Sequence, residues 1–154
     1  MVGLDAGAFD RDARMTTEAT VDPNTTSRFT DSLGRCLAES AFLDRFYELF
    51  INSSPDIAKR FEQTDFDQQK RALSQSLYLM VMAMEGGEAA ISYLGKIART
   101  HDRENYDVRP ELYDVWLECL IRAAAENDPQ FDGAIERSWR ETLKYGIEFM
   151  RERY

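Results

Sequence analysis

Histidine occurs once in this chain of 154 residues and cysteine twice. Cys36 and Cys119 lie far apart with no histidine beside either, so the spacing offers neither a disulfide framework nor a zinc site. Both read as buried thiols in a reducing compartment. Four prolines and eight glycines are few, and they fall at the borders of apolar-periodic segments, as suits a helical fold. No run approaches the ~20 apolar residues of a membrane span. Positive charge is also short: 19 Lys and Arg stand against 28 Asp and Glu, giving a formal charge of −9. Nucleic acid and anionic lipid both require a positive footprint, so no nucleic acid and no membrane is expected as a partner.

What the chain does have is apolar material, 44% hydrophobic and 12% aromatic. At this length one domain buries roughly 68–70% of its unfolded surface, enough core for a pocket. The opening "MVGLDAGAFDRDARMTTEATVDPNTTS" is polar and acidic, unlike a signal or transit peptide. Residues 1–25 are expected to form a flexible tail, with a folded domain over 26–154 and a cytoplasmic location.

Beyond the tail the pattern is helical throughout, and no segment alternates with period two, so the expected class is all-α with six or seven helices. Phe42, Leu43, Phe46, Tyr47 and Phe50 form one stripe. Ser54 and Pro55 read as an N-cap and first helical residue of a short helix ending near Phe61. Asp65 and Gln68 have capping-box spacing at the head of a helix burying Leu73, Leu77, Met80 and Val81, and Gly86–Gly87 stops it. Leu94, Ile97, Ala98 and His101 share the face of the next. Pro110 opens a helix through Leu112, Trp116, Leu120 and Ala124. Asp128–Pro129 reads as a second cap-then-proline device, before a last helix through Ile135, Trp139, Leu143, Ile147 and Met150.

A histidine at the apolar end of a helix serves either as a core residue or as a ligand. His101 precedes the polar loop "DRENYDV", so its ring projects from a helix end toward an adjoining pocket. A neutral imidazole there suits heme iron, because the porphyrin supplies the other four nitrogens. Other common metals need three or four protein ligands.

The order of "FYELF", "SSPDIAKRF", "QKRALSQSL", "LGKIARTH", "VRPELYDVW" and a final "W…L…GIEFM" resembles the bacterial single-domain globins, the three-over-three type related to the heme domains of flavohemoglobins and globin-coupled sensors. The resemblance spans roughly residues 42–151, and the intervals carry it. Phe61 follows Tyr47 by 14 residues, Gln69 follows Phe61 by 8, His101 follows Gln69 by 32, and Tyr113 follows His101 by 12. It implies a three-over-three helical sandwich around heme b (iron protoporphyrin IX). His101 would be the metal ligand and Phe61 the phenylalanine on the heme face. Tyr47 and Gln69 would be the distal polar pair, Leu73 the apolar residue beside the bound gas, and Tyr113 the proximal-side tyrosine.

The chemistry of these positions is coherent. A Tyr hydroxyl and a Gln amide both donate, and such donors stabilise dioxygen, which takes on partial negative charge, over neutral carbon monoxide. For the second imidazole nitrogen, the Ile97 carbonyl and the Tyr113 hydroxyl are the candidate partners. Gln69 is the better distal glutamine, because Gln68 is engaged at the cap. Lys70, Lys96 and Arg99 are candidates for the propionates.

The resemblance implies a heme globin that reversibly binds dioxygen or another diatomic gas (NO, CO), for transport or storage. Nitric oxide dioxygenation and gas sensing through a protein partner stand beside it as alternatives, so enzymatic activity is left open. The flavin and nicotinamide domains of flavohemoglobins have no counterpart before Tyr154, and redox cycling would use a separate reductase. Glu152 is out of step with the glutamate those proteins place near the proximal tyrosine. The assembly would be a monomer or homodimer.

Overall fold

The computed structural model describes residues 22–154; the expected tail lies outside the described residues as far as position 21. Seven helices follow: α1 (Thr25–Leu37), α2 (Ala41–Asn52), α3 (Pro55–Arg60), α4 (Phe66–Met84), α5 (Glu88–His101), α6 (Glu111–Asn127) and α7 (Gly133–Glu152). Among the described residues there is no strand.

The helix ends follow from local chemistry. The Ser54 side chain accepts from the Ile57 N–H, and Pro55 stands at the first helical position of α3. Asp65 caps α4 by accepting from the Asp67 and Gln68 N–H groups. The reciprocal half of the expected capping box does not form: Gln68 is exposed, and its side chain has no hydrogen bond among the described residues. Gly86 turns the chain after α4 at φ +90°, a conformation glycine adopts without steric cost.

One expected cap is corrected. Asp128 closes α6 rather than opening α7, and the N-cap of α7 is Asp132, which accepts from the Ile135 N–H. The Asp128 carboxylate is taken by Arg35 Nε at 2.7 Å and Ser32 Oγ at 2.6 Å. Trp139 Nε1 in turn donates to Ser32 Oγ at 2.9 Å. A buried carboxylate needs such partners, and here they tie α1, the α6–α7 corner and α7 together.

Helices α1, α4 and α5 form one layer and α2, α6 and α7 the other. The main packing pairs are α2 on α6, α4 on α5, α1 on α7 and α4 on α7. The core between the layers includes Phe29, Phe42, Phe46, Leu77, Leu94, Leu120, Trp139 and Leu143, all essentially inaccessible. The expected faces of α4 and α7 are buried in full, whereas Ile97, Leu112 and Trp116 are half-buried. The layers approach closely where α7 crosses α4: a Cβ on Gly146 would lie 2.7 Å from Met80 Sδ.

Candidate functional site

His101 is the last residue of α5. Its Nδ1 lies 2.8 Å from the Ile97 carbonyl, one turn back. A carbonyl only accepts, so Nδ1 carries the proton and Nε2 keeps its lone pair. The Thr100 hydroxyl donates to the same carbonyl at 2.7 Å. Of the two candidate partners it is therefore Ile97, not Tyr113, that orients the ring. Burial lowers the His101 pKa, against the opposing pull of the Ile97 bond, so the imidazole is neutral at physiological pH.

The loop after His101 takes up the last three carbonyls of α5. Asn105 Nδ2 donates to the Arg99 carbonyl at 2.8 Å, Tyr106 N–H to Thr100 and Val108 N–H to His101, both at 3.0 Å. The Tyr106 ring meets the imidazole edge-on, with centroids 6.1 Å apart.

Tyr47, Phe61 and Gln69 come together around a second centre. Tyr47 is 4% exposed, and its ring stands edge-on to Phe46, Phe61 and Phe66 at 4.9, 5.8 and 5.4 Å. Its hydroxyl points to the main-chain carbonyl of Gln69 at 3.5 Å, not to the Gln69 side chain. Burial pushes the phenol up to about 12, so it stays a protonated donor. Gln69 is half-buried and Gln68 exposed, which separates the two glutamines by burial rather than by the cap. Leu73 is buried one turn further along α4. Phe66 belongs to this cluster and was missed from sequence. The signal was its spacing, since Phe66, Gln69 and Leu73 fall at i, i+3 and i+7 on one helix face.

Tyr113 is half-buried on α6, with no hydrogen bond to His101, and burial raises its pKa to about 12. Lys70 is engaged by Asp44 on α2; Lys96 and Arg99 are exposed on α5.

The residues present fit a heme on three observations: a half-buried neutral imidazole whose Nε2 has no hydrogen bond among the described residues, an aromatic and aliphatic wall, and a buried phenol donor. His101 would hold the iron, and Phe61 with its aromatic neighbours would meet the porphyrin. Among the described residues no group of three or more His, Cys, Asp or Glu side chains forms a metal site. No helix there is long and apolar enough to cross a membrane.

No curated protein matches the chain. The crystal structure of a Pseudomonas aeruginosa protein, described as structurally highly homologous to a human hemoglobin, matches at 37% identity with a TM-score of 0.81. The match covers 85% of this chain and 98% of that one. The globin family model matches residues 44–149, a span holding all six of the singled-out residues, and the chain belongs to the globin family.

Proposed function

We propose that this globin binds heme b through His101 and uses it to bind dioxygen or another diatomic gas reversibly, with Tyr47, Gln69 and Leu73 on the gas side and Phe61 against the porphyrin. The observation that carries the reading is the imidazole itself: half-buried, neutral, its tautomer fixed by the Ile97 carbonyl at 2.8 Å, with Nε2 left as a lone-pair donor. When bound, the heme supplies an iron with one open position for a diatomic gas. Two thiols outside any disulfide accord with a cytoplasmic setting.

The test is reconstitution with hemin, followed by spectra of the ferric, ferrous and carbonmonoxy forms. A Soret band that collapses in His101→Ala is expected. A His101→Ala spectrum identical to the wild type removes His101 as the ligand.

Nitric oxide dioxygenation with a separate reductase is the second reading. Its support is the Tyr47 phenol, a donor held protonated by burial where negative charge on the gas would be stabilised. Rapid mixing of the oxygenated protein with NO, with and without a reductase, separates turnover from a single reaction.

A further inference from the structure

Arg60 ends α3, immediately before Phe61. Its guanidinium crosses to the loop that follows His101, with Nη1 donating to the Tyr106 carbonyl at 2.7 Å and Nη2 to the Asp107 carbonyl at 2.9 Å. Its Nε faces Asp56 at 3.3 Å. The carbonyl partners lie 46 and 47 residues away in sequence, so the contact is a tertiary tie rather than a local cap. A planar guanidinium meets two adjacent carbonyls with one rigid fork, which a lysine ammonium does not reproduce.

The loop it grips depends on being held. Asp107 has φ +49°, a left-handed conformation that a non-glycine residue keeps only when its surroundings impose it. On its far side the Tyr154 hydroxyl bonds the Asp107 carboxylate. Arg103 donates to the Tyr154 main-chain oxygen at 3.1 Å and lies 4.7 Å from the centre of its ring. Tyr106, whose carbonyl Arg60 holds, is 68% exposed and meets the His101 imidazole edge-on across 6.1 Å.

We infer that Arg60 is a positioning residue for His101. It ties the α3 corner that carries Phe61 to the loop that sets the imidazole, so heme is retained between walls joined by this fork. The inference rests on the heme reading above. Arg60 is exposed, so its loss leaves no buried charge and is not expected to prevent folding.

The experiment loads hemin into the wild type, Arg60→Ala, Arg60→Lys and Arg71→Ala, then mixes each with excess apomyoglobin and follows heme transfer. Arg71 is the control, an exposed arginine of α4 whose side chain has no ion pair or hydrogen bond among the described residues. Removing two charge-assisted bonds at an exposed site is expected to speed transfer roughly tenfold in Arg60→Ala. Arg60→Lys should fall between it and the wild type, and Arg71→Ala should match the wild type. The iron–histidine stretching band of the ferrous form should shift in Arg60→Ala and move back toward its original position in Arg60→Lys.

Transfer from Arg60→Ala within twofold of the wild type overturns the inference, and so does an equal acceleration in Arg71→Ala. An unshifted iron–histidine band also overturns it, since the tie would then not reach the imidazole. A wild type that takes up no hemin overturns the heme reading instead, and is recognised before any variant is compared.

Discussion

Tyr47 combines a wholly buried ring with a hydroxyl whose one protein bond, 3.5 Å to the Gln69 carbonyl, is long. A bond of that length contributes little to folding, so Tyr47→Phe should change stability by less than about 1 kcal/mol. If the same hydroxyl donates to bound gas, its loss removes a hydrogen bond to a partly charged acceptor, worth roughly 10- to 100-fold in affinity. Stopped-flow dissociation of dioxygen should therefore be at least about tenfold faster in Tyr47→Phe. An unchanged rate would show that the hydroxyl does not face the gas. The clustering of Tyr47, Phe61 and Gln69 was legible because intervals along three helices survive folding as positions on their faces. That Tyr47 meets the Gln69 main chain rather than its amide was not legible, since hydroxyl direction depends on packing set by Phe46, Phe61 and Phe66. Arg60's reach to the loop was invisible for a related reason: its partners there are main-chain carbonyls, and no residue type advertises a carbonyl.

Between elements, the clearest gap between sequence and structure lies at Asp128. An aspartate before a proline is a good local N-cap signal, but the half-buried ion pair with Arg35 on α1 claims the carboxylate and Asp132 takes the cap. Tertiary charge pairing overrode local pattern, and nothing within ten residues of Asp128 announces Arg35. Burial alone would push the Asp128 carboxyl up, but bonds from Arg35, Ser32 and the Gln130 N–H outweigh it and hold it below its ordinary 3.8. The unfolded chain therefore takes up this proton first as pH falls. The stabilisation is complete well above pH 3.8 and is lost progressively below about pH 5. Asp128→Ala, which leaves a half-buried Arg35 and the buried Ser32 hydroxyl without their acceptor, should cost about 2 kcal/mol near neutral pH. The difference from the wild type should narrow as the pH of a urea titration is taken from 7 toward 3.5. A pH-independent difference would mean that the carboxylate's charge contributes nothing.

Gly146 shows the same dependence on partners. Gly→Ala inside a helix ordinarily gains up to about 1 kcal/mol, yet here the new methyl would stand 2.7 Å from Met80 Sδ. Overpacking costs typically 1–3 kcal/mol, and the flexible Met80 side chain keeps this case at the low end. Gly146→Ala should thus be destabilising by about 1 kcal/mol or less, and become stabilising when combined with Met80→Ala relative to Met80→Ala alone. Additive effects in that double-mutant cycle would show that the contact does not limit the approach of α4 and α7.

For the whole molecule two electrostatic effects oppose each other. Cross-helix pairs join Arg45 to Glu126, Arg140 to Glu118 and Arg151 to Asp114. All are at least partly exposed, and such pairs contribute little and weaken in salt. Against them stands the net charge of −9, whose self-repulsion disfavours the compact state. For a sphere of radius about 19 Å, shortening the Debye length from about 30 Å to about 8 Å relieves on the order of 1–2 kcal/mol of that repulsion, after subtracting the smaller relief in the expanded unfolded chain. Net charge outweighs the exposed pairs, so the urea midpoint should rise between about 10 mM and 150 mM NaCl, the range spanned by those screening lengths. Urea is the appropriate denaturant because it adds no ions of its own. Arg140→Ala sharpens the test by removing the partner of Glu118 and Glu136 while making the chain more negative. Both changes shift the balance toward repulsion, so its salt dependence should be steeper than that of the wild type. A wild-type midpoint that falls with salt would mean the exposed pairs outweigh the net charge, and Arg140→Ala should then flatten the dependence instead.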